Sequence, residues 1–371
     1  MSSPRFEAFL ARLYCDDAFL ARFLASPAQA MTEAALDDRE QGAAADIDRV
    51  GLVMAARSYS TKRQHHGGVR RSLWQRITRQ PWLVGILSGV LLLLCVRSDA
   101  AGTSTENGYP ISLTRGSRLM VSVRINGRPV DALLDSGAEA TLIDRQFAAS
   151  LQLAGGSAAT GHGSGESEFN ASLVNGVRLQ AFGLTLDDQT VAVTDLTDVG
   201  KRLLGHRLDV ILGREIFDAA RLRIDIEGRQ ISVVTRTDEP PGVKLALVTE
   251  HGIETVPVKV ENRGPLRATF DLGNGSEVLV GAKLAARMHL LTDGRAVTTR
   301  DGGGLGGAQQ RQAITLRTLE VAGRRFTDVP AAIDPQSTAS DVNIGISILS
   351  QFIITTDFSK RAVWLEPRTT K

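Results

Sequence analysis

Two aspartates of the 371-residue chain stand in matching surroundings. Asp135 lies in "ALLDSGAEATLID" and Asp271 in "ATFDLGNGSEVLVG". Each time an apolar run meets Asp, one residue, Gly, a few small or polar residues and a second apolar run. Carboxyl groups are acid–base groups, and two held within about 3 Å cannot both ionise cheaply. Such a pair keeps one proton over a broad acidic range and titrates as a unit. Its ionised member takes a proton from a water held between the two. Its protonated member donates to a substrate carbonyl, and water attacks the polarised amide with no covalent enzyme intermediate. Gly137 and Gly273 suit a tight turn whose backbone N–H groups approach the carboxylates. One D-x-G taken alone is a turn in which Asp caps its own backbone. Two of them need an architecture that brings them together.

That architecture is visible as an internal repeat. The first copy reads "LMVSVRINGRPVDALLDSGAEATLI", then the Gly-rich "TGHGSGESE", then "LDVILGREIFDAARLRIDIEGRQISVV". The second reads "ETVPVKVENRGPLRATFDLGNGSEVLV", then "TRDGGGLGGAQQ", then "SDVNIGISILSQFIITTDFSKRAVWLEP". The pairs Asp135 and Asp271, Asp209 and Asp341, and Asp225 and Asp357 recur at an almost constant offset of about 130 residues, a lobe-sized rather than a solenoid-sized unit. Period-2 alternation of Val, Leu, Ile and Thr predicts strands throughout both copies, with turns at Asn126-Gly127 and Glu227-Gly228. Apolar-apolar-Gly follows each Asp as "VILG" at 210–213 and "NIGI" at 343–346, strands expected to support the Asp loops from behind. Asp209, Asp341, Asp225 and Asp357 are expected in structural turns and hairpins.

D-S-G-A after an apolar strand, a Gly-rich stretch and "ILG" before a short helix resembles the aspartic protease superfamily, nearest its retropepsin-like branch in the tandem, two-lobe bacterial form. The resemblance covers residues 115–368. It implies an all-β, bilobal fold with lobes at 115–238 and 239–371. It implies a catalytic dyad of Asp135 and Asp271, with Ser136, Gly137, Gly273 and Asn274 supporting the loops. It also implies two glycine-rich flaps closing over a peptide, Thr160–Gly165 with Gly161, His162 and Gly163, and Asp301–Gly307 with Gly302, Gly303 and Gly304. The family needs no cofactor and no metal, and one chain holding both lobes is expected to act as a monomer. The sequence departs from the family at Leu272, where Thr or Ser is usual. That hydroxyl hydrogen-bonds across to the other lobe, so Leu272 removes one of two cross-bonds. Asn274 is the residue expected to compensate by donating to Asp271. The departure also keeps open a second function, a weakly active or inactive peptide-binding or sensor protein on the same scaffold.

The rest of the chain adds context. Net charge is +2, so nothing in the global balance points to nucleic acid. "DGGGLGG" is not a phosphate loop, since no G-K-[ST] follows it. His206, His251 and His289 are scattered, and His65-His66 in a basic stretch lacks a supporting carboxylate or Cys cluster, so no metal site is expected. The two cysteines, Cys15 and Cys95, leave the repeat without a disulfide; both read as small buried or lipid-facing residues.

Residues 1–60 read as a small helical region with a docking or regulatory role toward a cytoplasmic partner. Phe6, Phe9, Leu10 and Leu13 share one helix face. Asp16 or Asp17 is expected to cap a second helix, Ser26-Pro27 to open a third, and Ile47, Val50, Val53 and Met54 to form a fourth. Residues 61–80 are a basic linker. Residues 81–97 are apolar and Leu-rich, read as a transmembrane signal-anchor. The run is shorter than the usual ~20-residue span, so Arg79 and Arg97 snorkel at its ends. The basic excess on its N-terminal side puts residues 1–79 in the cytoplasm and the repeat outside. A signal peptide cut after Ala100 is the competing reading. Residues 98–114 are a polar spacer. The whole reads as a membrane-anchored aspartic endopeptidase working outside the cytoplasm.

Overall fold

The computed structural model describes residues 3–45, 47, 52 and 108–368, save 115, 154, 235–237, 251 and 337–339. The basic linker, the expected span at 81–97 and most of the spacer lie outside the described residues. Among those described, no helix is long and apolar enough to cross a membrane. The chain divides into two compact units, one holding the N-terminal helices and one holding the β region.

The N-terminal unit has helices Pro4–Cys15, Asp17–Ala25, Pro27–Glu33 and Asp38–Ala45. Their starts follow from capping. Ser3 Oγ accepts from Phe6 N (3.2 Å), Asp16 Oδ1 accepts from Phe19 N (3.0 Å), and Pro27 opens the third helix. Phe9, Leu13, Phe19 and Phe23 bury their side chains. Phe9 meets Phe19 and Phe23 edge-to-face at 5.7 and 5.6 Å, the geometry ring quadrupoles favour. Two expectations are corrected. The fourth helix is Asp38–Ala45, ahead of the run from Ile47 to Met54, most of which is outside the described residues. Cys15 is exposed rather than buried, because it ends its helix beside the Asp16 cap.

The β region repeats one topology twice. In the first lobe, eight strands lie side by side in the order Ser112–Leu113, Leu119–Ile125, Arg128–Leu134, Val210–Leu212, Leu142–Asp144, Leu184–Thr194, Phe169–Ala181 and Ser157–Gly161. In the second lobe the order is Val248–Glu250, Ile253–Val260, Arg263–Phe270, Val342–Ile344, Val278–Gly281, Arg324–Asp334, Gln309–Val321 and Thr298–Gly302. Each sheet curls until its second and seventh strands also pair. Alternation drives this: Val121, Val123 and Ile125 are buried while Ser122 and Arg124 face out.

A third sheet of six strands is shared by the lobes. Leu222–Asp225 of the first lobe pairs antiparallel with Phe352–Asp357 of the second, Ile224 opposite Ile354. Arg221 closes this junction on Asp357 at 3.0 Å. Asp225 caps its own turn through Gly228 N (2.7 Å), Asp209 pairs with Arg207 and Asp341 with Arg287. These four carboxylates therefore serve the scaffold.

Candidate active site

The two Asp turns hang from equivalent strands. Arg128–Leu134 runs parallel to Val210–Leu212, and Arg263–Phe270 parallel to Val342–Ile344. The expected apolar-apolar-Gly strands thus lie directly beside the Asp strands. Asp135 N donates to Leu212 O (3.0 Å) and Asp271 N to Ile344 O (3.1 Å), which fixes where each turn begins. Gly137 N then donates to Asp135 Oδ1 (2.8 Å), and Gly273 N to Asp271 Oδ1 (2.9 Å).

The turns face one another. A Cβ on Gly137 would sit 3.1 Å from Asp271 Oδ1 and 3.3 Å from Asp135 Oδ1; one on Gly273 would sit 2.3 Å from Asp135 Cγ. Each glycine is therefore what lets the opposite carboxyl group reach the axis between the lobes. The two carboxyl groups hydrogen-bond to each other. Burial first, then the charge of Asp271, pushes the Asp135 carboxyl up to about 8, against the N–H groups of Gly137 and Ala138 that pull it down.

The pair is asymmetric. Ser136 Oγ donates to Phe270 O (2.7 Å) and accepts from Leu272 N (2.9 Å), so one hydroxyl makes both cross-lobe bonds of its side. Leu272 offers nothing in return and is wholly buried in the core. Asn274 does donate to Asp271, but through its backbone and not its side chain. Its backbone N–H reaches Asp271 Oδ1 (3.0 Å), but its side-chain amide donates to Asn343 Oδ1 (2.8 Å). Asn343 Nδ2 in turn donates to Asp271 Oδ2 (2.7 Å). Asp271 thus accepts from Gly273, Asn274 and Asn343, and the shared proton belongs on Asp135.

Asn343 was missed in the sequence because "NIGI" reads as a strand of the apolar-apolar-Gly kind. The signal was there: the strand register puts Asn343 opposite Thr269 just as Ile211 sits opposite Leu133. It is one polar residue where the other copy is apolar.

Both glycine-rich hairpins form, and their tips meet. Gly165 N donates to Leu305 O (2.8 Å) and Ser167 N to Gly306 O (2.9 Å). Gly163 packs against Leu305 and Gly304 against Ser164, with no room for a Cβ on either. Gly161 lies under the Phe169 ring, and Gly302 and Gly303 lie against Arg311 and Gly307. His162 is exposed and beside Glu168 of its own hairpin at 3.3 Å. Each lobe also holds the other lobe's tip. Arg202 donates to Gly303 O (3.1 Å) and Gly304 O (2.7 Å), while Arg311 donates to Ser164 O (2.9 Å) and Gln336 to Gly163 O (3.0 Å). These clamping residues carried no sequence motif.

Two surface cavities, of about 750 and 470 Å³, are lined by residues around Arg207 and around His289; neither touches Asp135 or Asp271. Among the described residues no cluster of His, Cys, Asp and Glu is arranged to hold a metal ion.

A second buried acid bears on stability. Glu215 accepts from Thr141 N (2.8 and 3.0 Å) and Thr141 Oγ1 (2.9 Å), yet burial pushes it up to about 7. Asp135 and Glu215 are both raised, so between about pH 4 and 8 the folded chain holds protons that the unfolded chain has released. Folding therefore weakens as pH rises through that window and levels off above it. Thermal unfolding of the β region at pH 5, 6, 7 and 8 is expected to show a falling midpoint. Asp135→Asn, neutral at every pH, is expected to flatten the fall. A midpoint that climbs toward pH 8 would contradict both assignments.

The aspartyl protease family model matches the chain twice, at residues 121–216 and 256–348. No curated protein matches it. The two matches end just beyond the two Asp-supporting strands and contain one D-x-G turn each. With two copies of the unit facing across one axis, the chain belongs to the aspartyl protease family, as a tandem, two-lobe, retropepsin-like member.

Proposed function

We propose that the chain is an aspartic endopeptidase that hydrolyses peptide bonds with water activated between Asp135 and Asp271. The observation that carries the reading is the contact between the two carboxyl groups, one from each repeat, below hairpin tips that join. Asp271, held by three N–H donors, takes the proton of the attacking water. Asp135, kept protonated by burial and by its neighbour, donates to the carbonyl oxygen of the scissile amide. The hairpin tips exclude bulk water and hold an extended peptide by backbone hydrogen bonds. Both halves of the dyad come from one chain, so a monomer suffices.

The test is a digest of a diverse peptide mixture by the purified full chain from pH 3 to 8, with products read by mass spectrometry. Internal cuts are expected in acid and near-neutral solution, fading as pH rises through about 8, where Asp135 loses its proton. Rates per molecule are expected to be independent of protein concentration. Binding of peptides without any cut, from folded protein, would move the assignment to a peptide-binding member of the family.

The same reading includes a location. The basic stretch from Lys62 to Arg79, followed by the apolar run to Val96, supports a single-pass anchor with the helical unit in the cytoplasm and the protease outside. Protease added to intact cells is expected to remove the β region and spare residues 1–79. Full protection of the β region would refute that orientation.

A further inference from the structure

Three arginines surround the space between the Asp turns and the hairpin tips. Arg202 and Arg311 hold the tips, as described above. Arg118 lies at the other side, against the second Asp turn: a Cβ on Gly275 would meet Arg118 Cγ at 2.9 Å. Its charge is felt by Asp271, Asp135, Arg202 and Glu277. Arg118 and Arg311 are only 7% and 6% exposed, and in each the Nε–H has no acceptor. Burial pulls both guanidinium groups below their ordinary range, which is the mark of a cation short of a counter-charge.

Among the described residues the only acids whose charge favours the Arg118 cation are Asp271, Asp135 and Glu277, none at ion-pair distance, and the repeat shows where a further one is missing. In the first copy the fourth residue after the catalytic Asp is Glu139, whose carboxylate lies against Gly252 of the other lobe. In the second copy that position is Gly275, and Arg118 packs on it. The seam that faces Arg118 has lost the carboxylate its mirror image keeps. Among the described residues no acid pairs with Arg118 or Arg311 at ion-pair distance. Glu277, the acid common to their surroundings, is already paired with Arg300 at 3.1 Å. Arg202 spends one edge on Asp198 (2.8 Å). Arg118 Nη1 donates to Gly116 O (3.0 Å), so its Nε–H is the buried donor left without a partner on a cation whose charge reaches both aspartates.

We propose that this cleft selects peptides carrying a carboxylate beside the scissile bond, an Asp or Glu side chain taken up by Arg118. The inference rests on the endopeptidase reading for its site, and it names the substrate class. A carboxylate is the one peptide group that supplies both the charge and the acceptor lone pairs that Arg118 lacks. A Gln or Asn side chain supplies the acceptor without the charge, and a Lys side chain meets repulsion.

The test uses the full chain and terminally blocked decapeptides that differ only in Glu, Gln or Lys within two residues of the central bond. Cleavage and binding, the latter by fluorescence anisotropy, are measured on the same set. Glu is expected to exceed Gln by about 10- to 100-fold in kcat/KM, the scale of one charge-assisted hydrogen bond. Arg118→Met is expected to bring that ratio close to one, and Arg118→Lys to keep part of it. Arg118 is packed in the lobe seam, so thermal melts accompany each variant, and the wild-type ratio decides even where a variant fails to fold. Equal cleavage of Glu and Gln peptides, or an unchanged preference in Arg118→Met, overturns the proposal. So does a preference found only in a matching set with free C-termini, which would identify the chain end as the ligand. Selective binding of Glu peptides with no cut in any peptide would leave this inference standing and overturn the endopeptidase reading instead.

Discussion

Asp135→Asn and Asp271→Asn are each expected to lower kcat/KM for peptide cleavage by about 10³-fold or more, the scale that follows when a positioned acid or base is lost. The two variants fail for different reasons. Asn at 271 keeps acceptors for Gly273, Asn274 and Asn343 only in part, and it has no basic oxygen to take the proton of water. Asn at 135 leaves the shared hydrogen bond an N–H donor but no acid proton to pass to the carbonyl oxygen. Each substitution is isosteric, so the cross-lobe bonds of Ser136 and the six-stranded sheet persist. Asp135→Asn is expected to melt no lower than wild type at pH 8, since it removes a carboxyl group that the fold holds protonated against the solvent. The measurement is steady-state cleavage of a peptide found in the digest, paired with a thermal melt. Cleavage near the wild-type rate by either folded variant would remove the dyad from the mechanism.

Replacing Asn343 by the residue its own mirror position carries, Asn343→Ile, tests the asymmetry directly. The variant takes away the 2.7 Å donor to Asp271 Oδ2 and leaves the side-chain amide of Asn274 only its bonds to Glu277 O and Ser276 N. A hydrogen bond to a charged group contributes about 1.5–3 kcal/mol, so kcat is expected to fall by roughly 10- to 100-fold. Asn343 acts through Asp271 rather than on the peptide, so KM is expected to stay near its wild-type value. The informative readout is the pH profile. Without the donor, the dyad gives up its first proton less readily, and the acid limb of kcat moves toward higher pH. A merely structural role would lower the melting point and leave the limb in place. An unmoved limb with unchanged kcat would return Asn343 to the scaffold and leave the placement of the shared proton without support.

Much of this protein is legible in the linear sequence because it is written twice. Alternating apolar residues such as Val121, Val123 and Ile125 dictate strands locally, and the recurrence of D-x-G and apolar-apolar-Gly dictates two equivalent lobes. Asp135, Asp271, Ser136 and the two glycine-rich hairpins follow from that pattern, since each depends on residues close in the chain. The helix starts at Asp16 and Pro27 are local for the same reason: Asp16 accepts from a backbone N–H three residues on, and the Pro27 ring sets its own backbone angle.

Contacts that cross the axis between the lobes are another matter. Asn274 carries the right chemistry to support Asp271, but whether its amide reaches the carboxylate or Asn343 depends on the neighbouring strand, some seventy residues later in sequence. Arg118, Arg202 and Arg311 look in sequence like any surface arginines. Only the packing of one lobe on the other buries two of them, directs Arg202 and Arg311 to the opposite hairpin, and sets Arg118 against a glycine where the mirror copy has a glutamate. The sequence by itself determined the elements, the duplication and the two acids, because hydrogen-bonding turns and apolar periodicity act over a few residues. Tertiary structure alone decided which acid is pushed up and what charge lies near the pair, because desolvation and Coulomb forces depend on distance in space rather than along the chain.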